Sequence, residues 1–168
     1  MKYVTKIISG AQTGADRAGI DAAIELGLDW GGYVPRGFRS EEPTGVPEKY
    51  RPKLIQTAQD TWTPRTKLNV QHADATIVFT GASGLGRGSE STIEYAIRYE
   101  KFHKHVDLKD TSTDWPVDIR GWLIHIGEQI ANRSTRPHPV VLNVAGSRES
   151  TTPGIYTATL SIPLCALR

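Results

Sequence analysis

The sequence predicts an α/β fold: one three-layer domain built on a mainly parallel sheet of about five strands. Three observations predict it. Short apolar runs rich in β-branched residues recur along the chain, the clearest being Val4–Ile8, Thr76–Thr80 and Val140–Val144. Segments of helical periodicity separate them, and helical crossovers join parallel strands covered on both faces. Glycine-rich or densely polar loops follow the same three runs directly.

Each element has its own signal. Val4–Ile8 (VTKII) is a strand bounded by Ser-Gly. Gly14–Leu26 repeats Ala and Ile at helical spacing, and Gly27 stands where a helix stops. Trp30–Val34 is a second strand. The following "PRGFRSEEPTGVPEKYRPK" has too little periodicity for a regular element. A helix starts near Thr63, with Thr63 as N-cap and Pro64 at the first helical position. Thr76–Thr80 is the most convincing strand, and a helix runs from Glu90 to Phe102. His105–Leu108 is a weak strand, Pro116–Ala131 a helix and Val140–Val144 a strong strand. The last helix begins at Pro153. No linker or internal repeat divides the chain, so residues 1–168 read as one Rossmann-like domain.

Composition bounds the function. The chain has 168 residues, 38% hydrophobic and 23% charged, the balance of a globular domain with an ordinary core. Its 20 Lys and Arg against 18 Asp and Glu give a formal charge of +2, too even for nucleic-acid binding by bulk electrostatics. One cysteine, Cys165, cannot form an internal disulfide, which points to the reducing cytoplasm. Neither a signal peptide nor a membrane-spanning run is expected. His72, His103, His105, His125 and His138 are scattered, without metal-ligand spacing, so no metal site is expected. The four tryptophans read as core or interface residues, except that Trp62 adjoins a region able to form a lid.

In open α/β sheets ligands bind beyond the carboxyl ends of the strands. Three loops occupy that position here. The first, "SGAQTG", combines Gly10, Gln12, Thr13 and Gly14 ahead of a helix N-terminus that favours an anion. A plain tight turn is the alternative, and Asp16 either contacts a ligand or only stabilises the first helical turn. The second, "GASGLGRGSEST", offers Gly84, Gly86 and Gly88, with Ser89 or Thr92 able to cap the helix or touch a phosphate. The third, "NVAGSRES", gathers Asn143, Arg148, Glu149 and Ser150, where Arg148 can clamp a phosphate or simply pair with Glu149. Arg36, with Arg39, can add a cation to this rim or belong to a solvated charged loop. Arg65 and Asn69 share one helix face, turned to the ligand edge or to water.

Together "SGAQTGADRAGIDAA", "GGYVPRGFRSEE", "RTKLNVQHADATIVF" and "LNVAGSRES…PGIY" resemble the putative molybdenum carrier family, in order and across nearly the whole chain. That family lies in a superfamily of Rossmann-like nucleotide-binding proteins that includes the Lonely Guy phosphoribohydrolases, once called lysine decarboxylases. The resemblance implies a phosphorylated small molecule as ligand, either a nucleotide derivative or molybdenum cofactor, and assembly as a homodimer or homotetramer. It carries family positions onto Gly10, Gln12, Thr13, Gly14, Asp16 and Arg17, and onto Pro35, Arg36 and Gly37. Further positions fall on Arg65, Thr66 and Asn69, and on Asn143, Gly146, Arg148, Glu149 and Ser150.

Two departures stand out. Ala11 replaces a glycine of many relatives. The phosphoribohydrolases carry P-G-G-x-G-T-x-x-E with a catalytic glutamate, and aligning Gly88-Ser89 with its Gly-Thr puts Thr92 at that position. Cleaving an N-glycosidic bond needs a carboxylate near the ribose. The expectation is therefore a binding protein acting as carrier, sensor or sequestering protein, with no cofactor required. The alternative is a nucleoside 5'-monophosphate phosphoribohydrolase in which Glu90, Glu94 or Glu149 replaces the glutamate.

Overall fold

The computed structural model describes residues 3–133 and 138–168. It contains six strands in one sheet: β1 (Val4–Ile8), β2 (Asp29–Val34), β3 (Leu54–Gln56), β4 (Ala75–Thr80), β5 (Phe102–Asp107) and β6 (Val140–Gly146). Five helices accompany them: α1 (Ala15–Glu25), α2 (Trp62–His72), α3 (Arg87–Arg98), α4 (Trp115–Arg133) and α5 (Ile155–Leu167). The strand order is β3-β2-β1-β6-β4-β5, and every pairing is parallel. Helices α1, α4 and α5 pack together on one face, while α2 and α3 pack together on the other. This is the Rossmann-like three-layer sandwich that the alternating pattern predicts.

The sixth strand, β3, lies inside the segment read as aperiodic. Its three residues pair Leu54 with Gly32 and Gln56 with Val34. Three residues show no alternation that a sequence window can register. Two short 3-10 helices, Arg36–Phe38 and Glu48–Lys53, fill the rest of that segment.

Several boundaries move. Helix α2 starts at Trp62 with Thr61 as N-cap, so Pro64 is its third residue rather than its first. The position is tolerated because the first-turn N–H groups have no intrahelical acceptor. Helix α3 spans Arg87–Arg98 instead of Glu90–Phe102, with Gly86 as N-cap in place of Ser89. Its end is fixed by Glu100 at φ 53, and Phe102 opens β5 instead of closing a helix. That strand pairs along its whole length with β4, from Ala75–Phe102 to Thr80–Asp107.

The core lies mainly between the sheet and the α4–α5 face, where Ile7, Ile77, Phe79, Leu142 and Val144 meet Leu123 and Ile126. Each such side chain contributes about 1.5–3 kcal/mol on burial. A second cluster of Ala11, Ile20, Val34, Val46, Tyr50 and Leu54 fixes the chain between β2 and β3 against α1. The first cluster draws on β1, β6 and β4, which lie side by side in the sheet. The loops leaving these strands therefore meet at one edge.

Candidate functional site

The sheet edge bears a cleft of about 270 Å³. Its floor comes from Gln12 and Asp16 after β1 and from Ala145 and Gly146 at the end of β6. Helix α2 contributes Trp62, Thr63, Arg65 and Thr66. Helix α3 faces them with Arg87, Gly88, Ser91, Thr92 and Tyr95, and Arg148 closes one side. Starting α3 at Arg87 puts 87, 91 and 95 on one helix face, together with 88 and 92. Arg87, Ser91 and Tyr95 do not stand out in the sequence, because a helix start at Glu90 hides that stripe.

The helix N-termini differ. Thr13 N–H donates to Gln12 Oε1 at 3.1 Å, and Gln12 N–H points to Asp16 Oδ2 at 3.3 Å. Ala15 N–H donates to Ser147 O and Arg17 N–H to Gln12 O, each at 3.2 Å. These internal bonds take up the amides of Ala15 and Arg17 in the first turn of α1, where the sequence points to an anion. At α3 no side chain caps the N-terminus, and the amides of Arg87, Gly88 and Ser89 precede the first intrahelical donor, Glu90 N–H to Gly86 O at 3.0 Å. A Cβ built at Gly88 meets nothing within 4 Å, so the space before it is open.

Asp16 and Arg65 form the charged floor. Arg65 Nη1 lies 2.9 Å from Asp16 Oδ2, with side-chain exposures of 14% and 3%. Burial pushes the Asp16 carboxyl above the usual carboxylate range, and the Arg65 charge with the Gln12 N–H offsets this only in part. The Arg65 guanidinium also lies over Gly10, where a Cβ would sit 1.7 Å from Nη1. Arg65 Nε is buried without a partner.

Several expected site residues bond within the fold. Asn69 is buried and spans the Tyr33 backbone, accepting from its N–H at 2.8 Å and donating to its carbonyl at 3.0 Å. Asn143 lies inside the sheet, its Nδ2 3.3 Å from Thr76 Oγ1. Arg17 donates from Nε to Ala11 O at 3.2 Å and pairs with Glu42 at 2.8 Å. Gly14 is the N-cap of α1. Arg36 is exposed in a 3-10 helix, Ser89 is buried on α3, and Gly84 and Gly86 lie in the loop before α3 rather than in the cleft lining. Thr92 Oγ1 donates to Gly88 O at 2.8 Å, inside its own helix.

The carboxylates named for hydrolysis are also accounted for. Glu90 and Glu94 are exposed on α3, away from the face that lines the cleft. Glu149 accepts from Gly154 N–H at 2.5 Å and from Tyr156 N–H at 3.0 Å, so it caps α5. Thr13 and Ser150 both donate hydroxyl bonds to Glu41, a residue of the segment whose sequence shows no periodicity. Among the described residues, no cluster of three or more His, Cys, Asp or Glu is placed to hold a metal, and no helix is long and apolar enough to cross a membrane.

A parallel doubly wound sheet with a polar, aromatic-walled cleft beyond its strand ends defines a Rossmann-like protein with a small-molecule-binding role. Residues 7–164 match the circularly permutated YpsA SLOG family, and the chain belongs to that family. The crystal structure of a putative molybdenum carrier protein from Syntrophus aciditrophicus SB is similar at 34% identity and a TM-score of 0.82, covering 99% of this chain and 97% of that one. No curated protein matches the chain. The strand order agrees with a permutation: counted with β6 first, it reads 4-3-2-1-5-6, progressing outward from a central first strand.

Proposed function

We propose that the cleft binds a phosphorylated small molecule carrying a heteroaromatic ring, a nucleotide derivative or molybdenum cofactor, and that the protein acts as its carrier, sensor or sequestering partner. The observation that carries this reading is the meeting of the uncapped α3 N-terminus with Arg87 and Arg148 at the strand ends. Unpaired amides, a helix dipole and two guanidinium groups favour a phosphate there. Trp62 and Tyr95 line the same cleft and offer apolar ring faces to a heterocycle. A relative named as a putative molybdenum carrier supports the second ligand class. Hydrolysis draws little support, because the cleft-lining acid is Asp16, already paired with Arg65.

Native mass spectrometry of the purified protein tests the reading directly. A co-bound phosphate compound is expected, and titration with nucleoside monophosphates and a pterin phosphate should quench Trp62 fluorescence, with the quench absent in Trp62→Phe. Arg148→Ala should weaken that binding at least tenfold, about 1.4 kcal/mol. Free base released from a nucleoside monophosphate, and lost in Asp16→Asn, would overturn the binder in favour of the phosphoribohydrolase.

A further inference from the structure

Glu41 is not part of the cleft lining, yet its carboxylate is held by residues of both loops that border the cleft. Oε1 accepts from Thr13 Oγ1, and Oε2 accepts from Ser150 Oγ. Ser150 N–H lies 3.5 Å from Oε1, and Arg148 Nη1 lies 3.9 Å from Oε2. Glu41 N–H in turn donates to Gln12 Oε1 at 2.9 Å. The carboxylate side chain is 16% exposed. Burial disfavours its charge, but the hydrogen bonds from Ser150 and Thr13 outweigh burial and hold the carboxyl below its ordinary range. An ionised carboxylate therefore sits on donors contributed by other segments.

Those donors are of the kind that binds an oxyanion: two hydroxyls, one amide and one guanidinium. Thr13 comes from the β1–α1 loop, and Arg148 and Ser150 come from the β6–α5 loop. Glu41 comes from a third segment, the excursion between β2 and β3. The neck of that excursion is closed by Val46 N–H donating to Phe38 O at 2.7 Å. Releasing its tip thus leaves β2 and β3 paired, and costs the Glu42–Arg17 ion pair at 2.8 Å along with the Glu41 bonds. Gln12 and Arg148 belong both to this seat and to the cleft, so the two are continuous.

We infer that Thr13, Arg148 and Ser150 form an anion subsite of the cleft, and that Glu41 fills it as an internal surrogate which a ligand phosphate displaces. The inference rests on the phosphorylated-ligand reading above. A phosphate group brings more charge and one more acceptor oxygen than a carboxylate, and so can exchange with it. While Glu41 is seated, apparent affinity is lowered by the fraction of molecules with the seat open.

Calorimetric titration with inorganic phosphate, run on wild type, Glu41→Gln, Glu41→Asp and Arg148→Ala with thermal unfolding of each, tests this. Glu41→Gln should bind phosphate at least tenfold more tightly than wild type, Glu41→Asp should fall between them, and Arg148→Ala should bind more weakly. Phosphate should also speed tryptic cleavage after Arg39 in wild type. If Glu41→Gln binds phosphate no better than wild type while Arg148→Ala still loses it, Glu41 is only a loop anchor and the inference fails, leaving the ligand reading intact. Should Glu41→Gln not fold, Glu41→Asp carries the same comparison, and affinity no higher than wild type overturns the inference. If none of the four proteins binds phosphate or a nucleoside monophosphate, both the inference and the ligand reading fall.

Discussion

Arg65 Nη1 meets Asp16 Oδ2 at 2.9 Å, tying α2 to the first turn of α1 across 49 residues of sequence. The guanidinium reaches the carboxylate only because position 10 has no side chain, a Cβ there lying 1.7 Å from Nη1. Gly10, Arg65 and Asp16 are thus one unit under the cleft. Gly10→Ala should push the guanidinium off the carboxylate and cost about 1–3 kcal/mol. Urea unfolding reads the stability, and nucleoside-monophosphate titration should show weakened binding alongside it.

Asp16 predicts a pH dependence whose sign can be worked out. Its folded pKa is raised above the unfolded 3.8 because burial outweighs the Arg65 charge. The folded state then holds the proton more tightly, and stability falls as pH rises from about 3.8 through the folded value. Asp16→Asn removes that titration while leaving a constant cost for the unpaired Arg65. Unfolding free energies measured from pH 4 to 8 should therefore shift in favour of the Asn variant as pH increases. A difference that stays flat, or moves the other way, would mean that Arg65 dominates the carboxyl.

Much of this arrangement is legible in the sequence, and the illegible parts have physical causes. The β1, β4 and β6 runs are buried and β-branched, so their existence and their loops follow from pattern alone. Strand β3 does not, because three residues held by Gly32, Tyr33 and Val34 owe their extension to a partner strand rather than to composition. The α3 start is not legible because Gly88 and Ser89 have weak helix propensity, which tertiary packing overrides. At the site, Arg148 and Gln12 stand out as polar residues in glycine loops. Glu41 does not, since nothing local distinguishes it from Glu42. Only the fold brings one to Thr13 and the other to Arg17.

Asn69 separates a structural role from a ligand role. Both of its amide atoms bond to the Tyr33 backbone, so it fastens α2 to β2. Asn69→Ala leaves a buried N–H and a buried carbonyl without that partner, at about 1–3 kcal/mol each. Thermal unfolding should fall by several degrees, at roughly 2–4 °C per kcal/mol for a chain of this size. Affinity for a cleft ligand should stay within about twofold. A large loss of affinity at unchanged stability would instead put Asn69 in contact with ligand.

Gly14 makes the complementary case, because its backbone rather than any ligand dictates the residue. It sits at φ 77 and ψ −129, where a side chain is strained, and a Cβ would lie 2.5 Å from Ser147 O and 2.8 Å from Glu149 N. Both neighbours are main chain, held by the Ala15 N–H to Ser147 O bond, and neither can swing aside as a long side chain would. Strain of about 1–3 kcal/mol adds to a packing cost of similar size. Gly14→Val should therefore lower the melting temperature by at least roughly 5 °C, and a loss of binding in that variant would say nothing about phosphate contact. Arg148→Ala, truncating a side chain 48% exposed, should leave the melting temperature within about 2 °C. Only the second variant reports on the ligand. A Gly14→Val protein as stable as wild type would show that the Ser147–Glu149 turn is not packed against α1.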